Sequence, residues 1–183
     1  MNFLKYRIED HVAVILLDRP KANALSKDLL KELEELLERL EDDPEARVLL
    51  LQGEGRFFSA GADIKEFTEI PSGDQSALLA KKGQELFEKI EQYPKPIIAA
   101  IHGAALGGGL ELAMACHIRI VSETAKLGLP ELSLGIIPGY AGTQRLPRLV
   151  GKGKALEMML TSEPISGKEA VLWGLAQRSY PEE

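Results

Sequence analysis

The sequence predicts a single α/β domain in which several strands run parallel. Two observations support this fold class: short apolar runs alternate along the chain with longer amphipathic stretches, and the apolar runs are too short for helices. Continuous apolar runs are typical of parallel strands, because helices cover both faces of such a sheet. The 183 residues suffice for one sizeable core, so we expect residues 1–183 to form one domain.

The N-terminal part predicts a β-hairpin followed by an amphipathic helix. Residues 3–8 alternate in polarity, and residues 11–17 form a β-branched run that ends before Pro20, which cannot donate to a strand ladder. Ser26 is a suitable N-cap, and leucines then recur at three- and four-residue spacing with Glu and Lys between them. This pattern predicts a helix that stops at the Asp-Asp-Pro sequence of residues 42–44.

The middle of the chain predicts two buried strands with a second helix between them. Residues 48–52 and 97–101 are the apolar runs that predict the strands. Residues 77–92 place apolar side chains on one face and precede two prolines, which predicts the helix. Residues 69–75 are polar and contain Gly and Pro, which predicts a loop. The small residues 60–62 leave room for something other than side chains.

The last part of the chain predicts further alternation of helices and strands. The predicted elements are a helix at 110–116, a strand at 118–121, a short apolar segment at 127–134, a small-residue loop at 135–142, and helices at 155–160 and 167–172.

Three consecutive glycines, Gly107 to Gly109, stand directly before the predicted helix at 110–116. Without a Cβ, glycine lets a ligand approach the backbone N–H groups, and a helix N-terminus adds unpaired donors and partial positive charge. Glu111 and Glu131 lie among apolar neighbours, where a carboxyl group tends to have a raised pKa. The stretch therefore predicts a site that stabilises negative charge beside acid–base groups. The structural alternatives are a tight packing point, a first-turn glutamate and a solvated loop carboxylate.

Composition excludes several classes of function. The net charge is −6 and no block of five basic residues occurs, which argues against nucleic acid as the main partner. No window approaches 18 uncharged apolar residues, and the N-terminus lacks the apolar region of a signal peptide, so we expect no membrane span. No Cys, His or Asp set has metal-ligand spacing. Cys116 is the only cysteine, and we interpret it as a buried apolar residue in a cytoplasmic protein.

Five motifs occur in order along the chain: RPKANAL (19–25), FFSAGADIKEF (57–67), KPIIAAIHGAALGGGLELAMACHIRI (95–120), AKLGLPELSLGIIPGYAGTQRL (125–146) and ISGKEAVLWGL (165–175). Together they resemble the enoyl-CoA hydratase/isomerase (crotonase) superfamily, and most of all its short-chain enoyl-CoA hydratases. The resemblance covers essentially the whole chain. It implies a spiral of ββα units with two roughly perpendicular sheets and helices outside.

The resemblance also implies a site. In this family two backbone N–H groups form an oxyanion hole around a thioester carbonyl oxygen, and the motifs place these donors on Ala62 and Gly108. The two catalytic carboxylates correspond to Glu111 and Glu131. The CoA moiety is implied to lie along Lys21, Ala22, Ala60, Asp63, Ile64 and Lys65. Either lysine of this set could equally be an ordinary surface residue.

The implied activity is hydration of 2-enoyl-CoA thioesters in fatty-acid β-oxidation. The CoA thioester is the substrate, and no metal or redox cofactor is expected. We expect Glu111 to activate the water that attacks C3 and Glu131 to exchange the proton at C2. The presence of both glutamates favours a hydratase, because isomerase relatives commonly keep only one. An enoyl-CoA isomerase or another activity of the same family is the alternative.

Family members normally continue into a helical C-terminal segment that covers part of the acyl pocket and helps to build a trimer or a dimer of trimers. This sequence ends at Glu183, before that segment, so we expect exposed apolar surface. We also expect a homo-oligomer. An inactive acyl-CoA-binding subunit is the alternative from a different class of function.

Three further features bear on the resemblance. His117 stands where many relatives carry Asp, and we expect only a structural consequence. Leu129 stands where some relatives have a polar residue beside the second glutamate, which could alter the support of that glutamate. A serine-protease triad of Ser59, His102 and Asp63 is a further alternative, since the same fold hosts such proteases, but no local feature marks the serine as a nucleophile.

Overall fold

The computed structural model of the chain describes residues 1–63, 66 and 73–182. The described strands are β1 (Leu4–Glu9), β2 (Val12–Leu17), β3 (Val48–Gly53), β4 (Ile97–Ile101), β5 (Ala104–Leu106), β6 (Ile118–Ser122), β7 (Lys126–Gly128), β8 (Ile165–Ser166) and β9 (Arg178–Tyr180). The described helices are α1 (Lys27–Glu41), α2 (Gly73–Glu91), α3 (Gly108–Ala115), α4 (Gly142–Val150), α5 (Lys152–Thr161) and α6 (Gly167–Leu172), with a 3₁₀ helix at Glu131–Leu134.

The strands form two sheets. The larger has the order β1-β2-β3-β4-β6-β9, and the smaller has the order β5-β7-β8. In the larger sheet β1 and β2 form an antiparallel hairpin, and every later pair of neighbours is parallel. In the smaller sheet β5 pairs parallel with β7, which pairs antiparallel with β8. The predicted α/β class with several parallel strands is therefore confirmed.

One contiguous apolar core joins the larger sheet to the helices. Helix α1 shows how local sequence contributes to it. The Ser26 hydroxyl oxygen accepts a hydrogen bond from Leu29 N at 3.2 Å, which caps the helix start. Five of the six leucines in this helix are buried: Leu29, Leu33, Leu36, Leu37 and Leu40.

Helix α3 is completely buried and is held at its C-terminal end by Arg119 of β6. Nη1 of this buried guanidinium donates to the carbonyl oxygens of Ala113 at 3.1 Å and Cys116 at 2.6 Å, and Nε donates to Leu175 O at 2.7 Å. The last carbonyl groups of a helix have no partner within the helix and carry partial negative charge, so the cation satisfies them. Arg119 therefore fixes the C-terminal end of the helix whose N-terminus carries the glycines.

Most predicted elements are present, and the exceptions have identifiable causes. The helix predicted for 110–116 begins earlier, at Gly108, because Gly107 with a φ of 53° serves as its N-cap. The loop predicted for 69–75 is wrong at 73–75, which begin α2, while 69–72 lie outside the described residues. The local sequence pattern did not predict β5, β8, β9 and α4. Cys116 is buried as expected, and burial raises the pKa of its thiol to about 12.

Large apolar side chains are exposed in the second half of the chain, as the sequence led us to expect. They include Leu132, Leu134, Ile136, Ile137, Leu156, Leu160, Leu172 and Trp173. Across the ranges that the structure describes, no helix combines the length and apolar character needed to cross a bilayer.

Candidate active site

The glycine-rich stretch forms a tight junction between β5 and α3. Gly107 has a φ of 53°, a left-handed conformation that residues with side chains rarely adopt. Its N–H donates to the Gly128 carbonyl oxygen at 2.9 Å, which joins the junction to β7. A Cβ at Gly107 would lie only 3.0 Å from Glu131 Oε1. The junction therefore brings the start of α3 against the Glu131 carboxyl group.

Two backbone N–H groups, those of Ala62 and Gly108, lie beside this junction. Leu25 donates to Gly61 O at 2.8 Å and accepts from Asp63 N at 3.2 Å, a strand-like pairing that turns the Ala62 N–H away from Leu25. A Cβ built on Gly108 would lie 3.3 Å from Ala62 N. Within the described part of the chain, neither N–H has an acceptor. Adjacent donors of this kind at a helix N-terminus suit an anionic oxygen.

Glu111 lies in the first turn of α3, with its side chain directed into the protein. The residue is 1% exposed. Its Oε1 accepts hydrogen bonds from Tyr140 N at 3.0 Å and Gly142 N at 2.8 Å. A Cβ at Gly142 would lie 2.7 Å from the same oxygen, so only glycine allows this close approach. The loop at 135–142 thus holds one carboxylate oxygen and leaves the other for a different partner.

The environment of Glu111 raises the pKa of this carboxyl group from 4.5 to about 7. Burial is the main cause, and the charge of Glu131 adds to it. The two backbone N–H groups and the positive charge of Arg145 oppose the rise. A carboxyl group with this pKa can take up or release a proton near neutral pH.

Glu131 begins the 3₁₀ helix and is 8% exposed, so it is not a solvated loop carboxylate. Burial raises the pKa of its carboxyl group, and its own backbone N–H opposes that rise. Its Oε2 is buried and has no hydrogen-bond partner among the residues that the structure describes. A buried carboxyl oxygen without a partner is unfavourable, so it suits a bound water or a proton-exchanging substrate atom.

Two residues that the sequence motifs did not identify as functional, Tyr140 and Arg145, support Glu111. Tyr140 provides one of the N–H donors to Glu111, and its own carbonyl oxygen accepts from Arg145 Nη1 at 3.2 Å. Arg145 is buried, and its Nη2 pairs with Glu91 at 3.1 Å. The sequence identified this stretch only as a small-residue loop, because nothing local shows that its N–H groups face a glutamate 29 to 31 residues away.

The first loop is held against the segment that carries Ala62. Arg19 Nη2 forms an ion pair with Asp63 at 2.5 Å, and its Nη1 donates to Ala24 O at 3.2 Å. The buried Asn23 side chain donates to Phe57 O at 2.8 Å. These bonds connect the first two sequence motifs. Neither Arg19 nor Asn23 was identified from the sequence as a supporting residue.

The structure describes four of the six residues that the resemblance implies to contact CoA. Lys21 and Ala60 are exposed, Ala22 is half-buried, and the Ala22 carbonyl oxygen accepts from Ala60 N at 2.9 Å. The first loop, residues 19–25, and the segment of residues 60–63 therefore form one continuous edge. Asp63, which pairs with Arg19, belongs to this edge. Ile64 and Lys65 lie outside the described residues.

The alternative serine triad is excluded by the positions of its members. Ser59 Oγ donates to Asn23 O at 2.8 Å, whereas His102 Nε2 lies 2.8 Å from Gly55 O. No hydrogen bond joins this serine to this histidine. Among residues 1–63, 66 and 73–182, no group of three His, Cys, Asp or Glu side chains is arranged to hold a metal ion.

The two departures from the family pattern have local consequences. His117 Nδ1 accepts a hydrogen bond from Ile97 N at 2.8 Å, so the side chain ties the end of α3 to β4. This is the structural role that the sequence led us to expect. Leu129 is buried, and its Cδ1 would lie 3.1 Å from a Cβ on Gly142. It therefore adds to the apolar surroundings of Glu111.

The chain is similar to proteins of one known family. The family model for enoyl-CoA hydratase/isomerase matches residues 7–183. A Bacillus subtilis protein named probable enoyl-CoA hydratase is 63% identical over 175 residues, which cover 96% of this chain and 68% of that protein. A crotonyl-CoA hydratase of Syntrophomonas wolfei is 46% identical over 178 residues, with the same two shares covered.

The fold of this chain is also similar to that of a solved structure. The crystal structure of an enoyl-CoA hydratase from Bacillus anthracis superimposes with a TM-score of 0.92 at 43% identity, and covers 98% of this chain and 70% of that chain. The chain thus spans about two thirds of the length of these three relatives.

Proposed function

The chain belongs to the enoyl-CoA hydratase/isomerase family, and on this basis we propose that it hydrates the 2,3 double bond of 2-enoyl-CoA thioesters. The family and the crotonase-type α/β fold, both expected from the five motifs, are confirmed. Two relatives, at 63% and 46% identity, are named as hydratases, which supports hydration over the other reactions of the family.

One observation carries the proposal. Two buried carboxyl groups with raised pKa values, Glu111 and Glu131, lie next to two N–H groups that have no acceptor within the described chain. Hydration of a conjugated thioester needs both kinds of group, because charge develops on the thioester oxygen while protons are transferred at C2 and at the water.

The N–H groups of Ala62 and Gly108 are proposed to bind the thioester oxygen. Attack of water at C3 moves electrons toward the carbonyl, so an enolate-like negative charge develops on that oxygen. Two donors that are already oriented stabilise this charge without reorganisation, and the loss of one such donor typically costs about 10²–10³ in rate. The positive end of α3 acts in the same direction.

The two glutamates are proposed to share the attacking water. Ionised Glu111 takes a proton from the water while the water oxygen bonds to C3. Protonated Glu131 delivers a proton to C2. Each proton taken from the water side is balanced by one delivered to carbon, and proton exchange with solvent restores both groups. Positioned acid–base groups contribute roughly 10²–10⁴ in rate. Because the Glu131 charge raises the pKa of Glu111, the pair is expected to titrate together.

The remaining features of the proposal follow the family. The CoA moiety is proposed to lie along Lys21, Ala22, Ala60, Asp63, Ile64 and Lys65. We propose a cytoplasmic enzyme of fatty-acid β-oxidation that uses no metal or redox cofactor, with residues 1–183 forming one domain. A homo-oligomer is proposed because large apolar side chains are exposed on the second half of the chain.

The proposal is tested by hydration of crotonyl-CoA, followed through loss of the conjugated enoyl absorbance. Glu111→Gln and Glu131→Gln should each lower turnover by about 10² or more, while Glu35→Gln on the exposed face of α1 should not change it. Wild-type turnover in either active-site variant would reject the two-carboxylate mechanism. Conversion of a 3-enoyl-CoA without hydration would instead identify an isomerase, and calorimetric binding without turnover would identify an acyl-CoA-binding subunit.

A further inference from the structure

The Tyr140 ring fills the gap between the start of α3 and helix α2. One edge of the ring faces Gly108, whose Cβ would lie 3.3 Å from Cδ2 and Cε2. The opposite edge faces Gly83 of α2, whose Cβ would lie 2.4 Å from Cδ1 and 2.3 Å from Cε1. The ring also packs edge-on against Phe87, with centroids 5.2 Å apart and an interplanar angle of 67°. Backbone on both sides therefore holds the ring in one position.

A cavity of about 420 Å³ lies on the far side of the ring, between α1 and α2. Its apolar lining comes from Leu25, Leu30, Leu79 and Leu86, and both Tyr140 and Gly83 border it. Seven charged residues also line it, and among them Lys89 of α2 and Glu34 of α1 form an ion pair: Lys27, Lys31, Glu34, Glu66, Lys82, Glu85 and Lys89. This volume falls within the range of small-molecule sites, about 300–1,000 Å³.

We propose that Tyr140 determines the acyl-chain length that the enzyme accepts. This inference depends on the proposed function, in which the thioester oxygen is bound at Ala62 and Gly108. An acyl chain that extends from that point toward α2 meets the Tyr140 ring, which stops it after a few carbons. Behind the ring, the cavity between α1 and α2, in which four leucines lie among charged side chains, is the space that a longer chain would occupy.

The role assigned to Tyr140 is steric. Burial, together with the charges of Glu111 and Glu66, raises the pKa of the phenol to about 12, so the side chain is uncharged at neutral pH. A neutral aromatic ring between two glycine backbones can exclude an acyl chain without taking part in proton transfer. The hydroxyl group should therefore matter little to chain length, and the ring itself should matter greatly.

The test compares Tyr140→Ala and Tyr140→Leu with the control Tyr140→Phe, which removes only the hydroxyl group. For each protein, kcat/KM is measured on crotonyl-CoA and on 2-decenoyl-CoA. The ratio of the two values does not depend on the fraction of active protein, so partial loss of folding does not alter it. The leucine variant retains part of the buried apolar bulk and gives a second measurement if the alanine variant is unstable.

The ratio of decenoyl to crotonyl activity should rise about tenfold or more in Tyr140→Ala, since the additional methylenes can pack against the leucines of the cavity. It should stay within a few-fold of wild type in Tyr140→Phe. Equal ratios in the alanine and phenylalanine variants would overturn the proposal.

Binding of saturated butanoyl-CoA and decanoyl-CoA, measured by calorimetry, separates this inference from the proposed function. A shift of binding preference toward decanoyl-CoA in Tyr140→Ala supports the length role even if wild type hydrates nothing, an outcome that would reject hydration alone. Absence of acyl-CoA binding by wild type would overturn both.

Discussion

Glu111→Gln is predicted to stabilise the folded chain at alkaline pH while it removes hydratase activity. The Glu111 side chain is buried, and its environment raises the pKa of the carboxyl group from 4.5 to about 7. Glutamine keeps an oxygen that can accept from Tyr140 N and Gly142 N, but it carries no charge. The substitution therefore removes the cost of burying an ionised carboxylate and keeps both hydrogen bonds.

The magnitude follows from linkage between protonation and folding. Below pH 4.5 the carboxyl group is protonated in both the folded and the unfolded chain, so its raised pKa costs no stability. As pH rises the unfolded chain ionises first, and the cost is complete above about pH 7. The difference between 4.5 and about 7 corresponds to about 3 kcal/mol. Between about pH 5.5 and about pH 8.5, wild type should lose about 2 kcal/mol relative to Glu111→Gln.

Urea unfolding followed by circular dichroism at these two pH values measures the difference. Glu35→Gln provides the matched control, because this carboxyl group on α1 is 59% exposed and pairs only loosely with Lys31. Equal changes of the free energy of unfolding with pH in wild type and Glu111→Gln would contradict this prediction. A free energy of unfolding that increases in wild type relative to the variant at alkaline pH would also contradict it.

Two further predictions concern α3. Gly108→Ala places a methyl group 3.3 Å from Ala62 N, where the substrate oxygen is proposed to bind, and should lower kcat on crotonyl-CoA by about 10². Gly153→Ala, in α5 with no atom within 4 Å of the added Cβ, should leave kcat unchanged, and equal effects of the two would contradict the assignment. Arg119→Met leaves the C-terminal carbonyl groups of α3 without their cation and should destabilise the fold by about 2–4 kcal/mol in urea unfolding. An unchanged free energy of unfolding in this variant would show that the Arg119 side chain does not anchor the helix.

Local sequence patterns predicted the elements whose formation is decided locally. Helix α1 was predicted from its Ser26 cap and leucine spacing, and helix α6 from residues 167–172, where Ser166 and Glu169 form a capping box. Strands β5 and β9 have three residues each and form only because partner strands are present. Such short strands carry no pattern of their own.

Helix α4 shows why a tertiary contact can outweigh local preference. Pro147 lies inside it, although proline normally ends helices, and Ala141 precedes it in a left-handed conformation with a φ of 67°. The helix start is held by the bond from Gly142 N to Glu111, a residue 31 positions away. No window of local sequence contains both partners.

The candidate site also has features that the sequence predicted and features that depend on the folded structure. The motifs predicted Ala62, Gly108, Glu111 and Glu131 as the residues that carry chemistry, and the fold places their backbone or side chains around one glycine junction. The extent of burial that raises the pKa of Glu111 could not be predicted, because it depends on chain segments that come together only on folding. For the same reason, the sequence did not indicate that the Tyr140 ring lies between two glycines.

A crystal structure of the protein with bound butanoyl-CoA tests the central claim most directly. The proposed function predicts that the thioester oxygen lies roughly 2.7–3.1 Å from both Ala62 N and Gly108 N, with the carboxyl groups of Glu111 and Glu131 on one side of the acyl C2–C3 bond. A thioester oxygen that contacts neither N–H group, or a bound acyl chain with the two carboxyl groups on opposite sides, would contradict it.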